Sequence, residues 1–408
     1  MIGRILFITI DQPRDDGSGG QIASWRLLQS YASLAPVDLV AITPPGGTTS
    51  ADPCSLAANT TLVPVSAFYF ASSPIRLGIK FAISQVGKRP YRLTKFDVSH
   101  ARDVIRSQVQ RHDYDLVHFD HLSSFVYHKL IKGAPSILME HNVESDLIGR
   151  MASEDSRRVA RVALRREARR VEAIEARIVH DVDHVLTLSE HDRVALSRLS
   201  ASNEEQVSVW PVPIKPTVIE RPSERAVFNV LVLGSLKSAG RWHGLTWFLD
   251  NVWPRVCAQV DHARLSVVGA CSVKQRNELA GKDSVKVYGY IDDIDSLLRE
   301  VSLCAIPLFV GAGIRIKVLE LLSRGIPCIG SEVALQGLPD IRGTDLVHTA
   351  DEWVSSLTAA ARSPETLSLA ARDGLAELQR THSPAAALTS LTQAVEAAVR
   401  RNETRRQA

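Results

Sequence analysis

The sequence has no apolar run approaching the roughly 20 residues that cross a bilayer, so a membrane-spanning helix does not organise it. Cysteine is scarce. Cys54, Cys257, Cys271, Cys304 and Cys328 are scattered without a C-x-x-C pair or metal-ligand spacing, so neither a disulfide scaffold nor a zinc module is in view. Charge of one sign is lacking too. A net charge of +3, from 48 Lys and Arg against 45 Asp and Glu, gives no basis for binding nucleic acid. The pattern G-x-G-x-x-G is absent, which removes the dinucleotide fingerprint. Low-complexity segments and short-period repeats are missing as well. The opening Met1–Ile10 is apolar but too short for a signal-peptide core. It reads as a first β-strand, in a protein expected in the cytoplasm.

What remains is an α/β chain. Its 408 residues exceed one ordinary core and fit two domains, with a hydrophobic fraction of 45% and a charged fraction of 23%. Short Val/Ile/Leu-rich runs alternate with helical stretches, the βαβ signature of parallel strands buried on both faces. In the first half the predicted strands are Arg4–Ile10, Val37–Thr43, Thr61–Val65, Asp115–Phe119, Ser136–Glu140 and His184–Leu188, with helices such as Ala23–Ala35 and His100–Arg111 between them. Three prolines within Trp210–Pro216 break the pattern. A second series follows at Asn229–Leu233, Arg264–Val268, Ser284–Tyr288, Leu303–Pro307, Pro327–Gly330 and Asp345–His348. The expected organisation is a Rossmann-like domain over 1–212, a linker over 213–225, a second Rossmann-like domain over 226–382, and a C-terminal helix and tail over 383–408. Ser383-Pro384 starts that helix, and Leu388, Leu391, Val395 and Val399 give it a buried face.

Two loops carry chemistry. Asp15-Asp16-Gly17-Ser18-Gly19-Gly20 follows the first strand, where open α/β sheets bind ligands. Its glycines suit either a flexible turn or the close approach of backbone N–H groups to a phosphate or sugar. The second runs from Val310 to Pro327. A Gly loop, Gly311-Ala312-Gly313-Ile314, leads into a helix with Arg315, Lys317 and Glu320 near its start. Cations at a helix N-terminus oppose its dipole, and a bound diphosphate would compensate them. Glu320, a turn further on, can accept hydrogen bonds from two ribose hydroxyls.

The Val310–Pro327 stretch resembles the donor-binding segment of the retaining glycosyltransferases of family 4, which have the two-Rossmann GT-B architecture. Further matches fall in order: Asp11-Gln12-Pro13 through Gly20, Tyr114 through Asp120, Glu140-His141-Asn142-Val143-Glu144-Ser145, Glu175 through Asp192, Leu233-Gly234-Ser235-Leu236, and Val287 through Asp293. The resemblance implies two domains facing across a cleft, with the C-terminal helix packing back on the first. It also implies sugar transfer with retention from a nucleotide-sugar donor to a sugar or lipid-linked acceptor in polysaccharide or glycolipid synthesis, and no cofactor or obligatory metal. Carried over by position, His141 lies near the reacting centre, Arg315 and Lys317 bind diphosphate, and Glu320 holds the ribose as the second Glu of an E-x7-E motif. Gly19, Gly20, Gly234, Lys237, Arg241, Gly311, Gly313 and Ile314 would complete the donor site, the spacing of Lys237 and Arg241 being altered. His118, Asp120, His121 and Asn142 would lie on the acceptor side. One departure stands out: the first Glu of E-x7-E falls at Ala312, which removes that carboxylate.

Other readings stay open beside this one. His118, Asp120 and His121 fit an acceptor contact, ordinary strand-end residues, or part of a metal site whose third ligand the sequence does not locate. Arg158, Arg161, Arg165 and Arg169 recur at helical spacing, with Arg157, Arg166 and Arg170 beside them. The stretch fits a solvated, salt-bridged helix, or a seat on anionic lipid at the inner face of a membrane. The missing carboxylate leaves room for an epimerase on the same fold, or for a protein that binds nucleotide sugars without turning them over.

Overall fold

The computed structural model describes residues 2–43, 55–65, 89–200, 204–219, 227–282, 284–311, 314–338 and 341–407. Ala312, Gly313 and the 220–225 part of the expected linker lie outside the described residues. The chain divides into two compact units, one of Met1–Pro213 with Pro384–Ala408 and one of Ile214–Ser383.

In the first unit seven strands form one sheet: β1 (Ile5–Thr9), β2 (Val37–Thr43), β3 (Asn59–Pro64), β4 (Leu116–Asp120), β5 (Ser136–Glu140), β6 (His184–Thr187) and β7 (Val207–Val209). Their order is β3-β2-β1-β4-β5-β6-β7, and every pairing is parallel. The central strands are apolar throughout because helices cover both faces: Ile5, Leu6, Phe7 and Ile8 have no exposed surface. β7 was not anticipated. Three residues at a sheet edge are too short to show a period.

The second unit holds β8 (Asn229–Leu233), β9 (Arg264–Val268), β10 (Val285–Gly289), β11 (Leu303–Ile306), β12 (Cys328–Gly330) and β13 (Thr344–Leu346). They pair in parallel in the order β10-β9-β8-β11-β12-β13. Both sheets therefore have Rossmann order, with a switch point between the first and fourth strands of each unit, where the connections diverge and leave a crevice.

The Pro384–Gln407 helix leaves the second unit and completes the first. Ala387, Leu391, Ala394, Val395 and Ala398 bury its apolar face. Ser390 donates to the Val209 carbonyl at 2.7 Å, and Arg405 pairs with the buried Asp183 at 3.0 Å. Among the described residues no helix is long and apolar enough to cross a membrane.

Candidate active site

In the first unit the switch point lies between Thr9, which ends β1, and Asp120, which ends β4. The helix facing it starts at Gly19, four residues before the expected Ala23. Ser18 caps it: the Ser18 side chain accepts from the Gln21 amide, and the Gln21 side chain returns to the Ser18 N–H at 2.8 Å. This capping box absorbs the third amide of the helix. The amides of Gly19 and Gly20 precede the bond from the Ile22 amide to the Ser18 carbonyl, so neither has a partner within the helix.

The same helix places Ser24 over the end of β4. One Asp120 oxygen accepts the Ser24 hydroxyl at 2.6 Å and the Thr9 hydroxyl at 2.8 Å. The other accepts His141 Nε2 at 2.7 Å. Burial would raise the Asp120 carboxyl, but the imidazoles of His121 and His141 and the His141 hydrogen bond outweigh it and hold the group below the usual carboxylate range. His121 follows at φ 68°, a left-handed conformation that costs a non-glycine residue about 1–3 kcal/mol. That turn lays its ring on His141, with centroids 3.6 Å apart and planes 16° from parallel. Gly20 abuts the His121 ring: a Cβ there would stand 3.5 Å from Cε1.

Asp120, His121 and His141 bring ligand-type atoms within 4.8 Å of one another. The donor set suits a protein network better than a metal ion. Both Asp120 oxygens already accept hydrogen bonds, and near-parallel rings point their in-plane lone pairs side by side rather than at a common centre. His118 goes elsewhere. It is fully buried in the core, stacked on Phe7 at 4.6 Å with Nδ1 3.0 Å from the Tyr31 hydroxyl. Thr9 and Ser24 escaped the sequence reading, the only available signal being Thr9's place at a strand end.

A buried carboxylate fixes the helix that follows His141. Glu175 accepts the amides of Glu144 and Ser145 at 2.6 and 3.2 Å, and so caps the Glu144–Glu154 helix that begins three residues after His141. Arg92 pairs with Glu144. Burial pushes Glu175 up to about 7, against the hydrogen bonds from Ser145 and Glu144. Glu140 is pushed up as well, by burial first and then by Glu175 and Glu144. Asn142 lies half-buried in the intervening turn.

The second unit gathers cations at its own switch point. Gly234 follows β8 with φ 142°, and the Arg241 side chain lies across it, 3.2 Å from where a Cβ would be. Gly311, at φ 152°, is covered in the same way by Arg315, whose Nη2 donates to the Val333 carbonyl at 3.5 Å. Arg315 N-caps the helix Ile316–Ser323, which carries Lys317 in its first turn and the half-buried Glu320 further along. Lys317 is exposed, and its ammonium is lowered by local desolvation first and then by the charge of Arg241. Lys237 is exposed in the β8 loop and Ile314 half-buried beside Arg315. A feature missed in sequence is Gly269, at φ 142°, whose backbone packs against Gly234 so closely that any side chain would overlap the Gly234 carbonyl.

Comparison with known proteins agrees with this fold. Residues 36–218 match the model described as Glycosyltransferase Family 4, and residues 227–365 match Glycosyl transferases group 1. No curated protein sequence matches the chain. Among solved structures it is similar to sucrose-phosphate synthase from Thermosynechococcus elongatus (16% identity, TM-score 0.69, covering 96% of this chain and 98% of that one). It is also similar to Anabaena HepE in complex with UDP (13%, 0.67, 96% and 99%). A third is the lipopolysaccharide outer core galactosyltransferase WaaB (14%, 0.61, 96% and 99%). The chain carries glycosyltransferase domains in both units and is a glycosyltransferase of the two-Rossmann GT-B class.

Proposed function

We propose that the protein transfers a hexosyl group, with retention, from a nucleoside-diphosphate sugar to a sugar or lipid-linked acceptor in polysaccharide or glycolipid synthesis. The cations around the second switch point carry this reading. Arg241 lies over Gly234 and Arg315 over Gly311, and the charge of Arg241 acts on Lys317, so the loops beyond these strand ends concentrate positive charge that an anionic diphosphate relieves. Departure of a nucleoside diphosphate needs its growing charge neutralised, and fixed cations do this without reorganising. They supply the charge that a divalent ion would, so transfer is expected to persist in EDTA. Glu320 is assigned to the ribose. UDP in the HepE neighbour makes UDP-hexoses the first donors to test.

Thermal shift and calorimetry against UDP-, GDP-, ADP- and TDP-sugars identify the donor, since a ligand of the folded state raises the midpoint. Lys317→Ala or Arg241→Ala should weaken it about 10- to 100-fold, the worth of one charge-assisted hydrogen bond. No shift with any nucleotide sugar would sink the proposal. A second reading, binding without turnover, rests on Ala312 in place of a carboxylate, and binding with no transfer or hydrolysis would favour it.

We also assign the Arg158–Asp181 helix to an anionic lipid surface. Val159 and Val162 are 84% and 68% exposed, on the face that continues through Arg166 and Arg169. The expected salt-bridged face forms only in part: Arg157 pairs with Asp155 at 2.7 Å and Arg170 with Glu167 at 4.0 Å, while among the described residues Arg158, Arg165, Arg166 and Arg169 make no ion pair.

A further inference from the structure

We infer that Asp120 is a positioning residue, fixing His141 with its proton on Nε2 so that the bare Nδ1 accepts a hydrogen bond from a substrate sugar hydroxyl. The inference rests on the transfer reading and adds to it a residue, an atom and a protonation state. It starts from the carboxylate's three partners. Thr9 and Ser24 donate hydroxyls to one oxygen, and His141 Nε2 stands 2.7 Å from the other. An ionised carboxylate only accepts, so Nε2 carries the proton. In a neutral ring Nδ1 is then a lone-pair acceptor.

That acceptor is buried and has no hydrogen-bond partner. Buried polar groups are almost always satisfied, so an orphaned one beside a switch point calls for a donor from outside the protein. A sugar hydroxyl is such a donor; a phosphate or a carboxylate is not. Three features keep the ring from turning to another partner. His121 stacks flat on it, held there by its left-handed backbone. Gly20 backs His121. Asp120 is itself pinned by two hydroxyls from β1 and the Gly19–Ala32 helix. Asp120 has no exposed surface and three protein groups already bond its two oxygens, so it acts on substrate through His141 and not directly.

Asn at position 120 can turn its amide toward Nε2 and donate, which moves the imidazole proton to Nδ1 and presents a donor where the substrate needs an acceptor. Protein labelled with ¹⁵N-histidine reports the tautomer directly, the His141 signals being assigned by their loss in His141→Gln. Wild type should show protonated Nε2 and bare Nδ1, and Asp120→Asn should lose that pattern. With an active donor and acceptor, Asp120→Asn should lower kcat about 10- to 100-fold while donor KM stays within about threefold. Ser24→Ala removes one support, keeps the carboxylate, and should retain the wild-type tautomer. It remains informative if Asp120→Asn folds poorly. A wild-type His141 protonated on Nδ1 would overturn the inference. So would a folded Asp120→Asn with unchanged tautomer and kcat. The nitrogen spectrum decides the tautomer whether or not transfer is found, whereas a wild type without turnover on any nucleotide sugar removes the transfer reading instead.

Discussion

His118 and His141 show how one residue type takes two roles within a single sheet. His118 lies within β4 and His141 directly after β5, and their composition alone does not tell them apart. His118 points into the core, where burial lowers it to about 3, against the pull of Asp120, with His141 adding to the fall. It is neutral in the folded protein at every physiological pH, while the unfolded chain protonates near 6.5. Below that value the unfolded state binds the extra proton, so the stability His118 contributes is intact above about 6.5 and is lost as pH falls toward 3. At pH 5 the loss is about 2 kcal/mol, or roughly 4–8 °C in the midpoint of a unit this size. Burial lowers His184 and His382 to about 4 in the same sense, whereas Glu175, raised to about 7, acts oppositely between its unfolded value and 7. A comparison isolates His118 from the others. His118→Gln should lower the midpoint at pH 7 yet lose less than wild type between pH 7 and 5. Equal acid losses in the two proteins would remove His118 as a source of acid sensitivity.

At the scale of elements, the helix Ala239–Asn251 decides how close Arg241 comes to the strand ends. Its Gly244 packs on the end of β11, and a Cβ there would overlap the Pro307 carbonyl oxygen. In an open helix Ala is favoured over Gly by about 1 kcal/mol. Here overpacking against a backbone atom that has nowhere to go costs about 1–3 kcal/mol and reverses the sign. Gly244→Ala should therefore lower the melting midpoint and, by moving the helix outward, weaken nucleotide binding along with it. A midpoint equal to or above wild type would mean that the helix shifts freely and does not set the position of Arg241. Such approaches are hard to see in sequence, where Gly244 reads only as a helix-weakening residue. The strands were easier. Val37–Thr43, Ser136–Glu140, Asn229–Leu233 and Arg264–Val268 match the structure residue for residue, because strands buried on both faces announce themselves as predominantly apolar runs. Helix starts were harder: Gly19 and Gly20 look like loop until the Ser18–Gln21 capping box is recognised.

Over the whole molecule, the sequence revealed single residues better than the partners that make them a site. Thr9 and Ser24 reach Asp120 across 111 and 96 positions, distances that only the folded sheet closes. The Arg158–Asp181 helix is the reverse case. Its charges were plain, and the fold supplied what they lacked, an exposed apolar pair and, among the described residues, four arginines (Arg158, Arg165, Arg166 and Arg169) outside the ion pairs of Arg157 and Arg170. On a protein with a net charge of only +3, such a concentration of cations is a local feature, so its binding should be specific to one face. Each arginine near an anionic surface contributes about 1 kcal/mol, and valine at the headgroup level adds the burial of its side chain. The full-length chain should sediment with vesicles containing about 30% anionic lipid and not with neutral ones. Binding should fall at about 0.5 M salt, where the screening length drops below about 5 Å. Arg165→Glu with Arg169→Glu should abolish it, while Val162→Ser should weaken it without changing its dependence on salt. Equal sedimentation with neutral vesicles, or binding untouched by the charge reversals, would return this helix to the solvent.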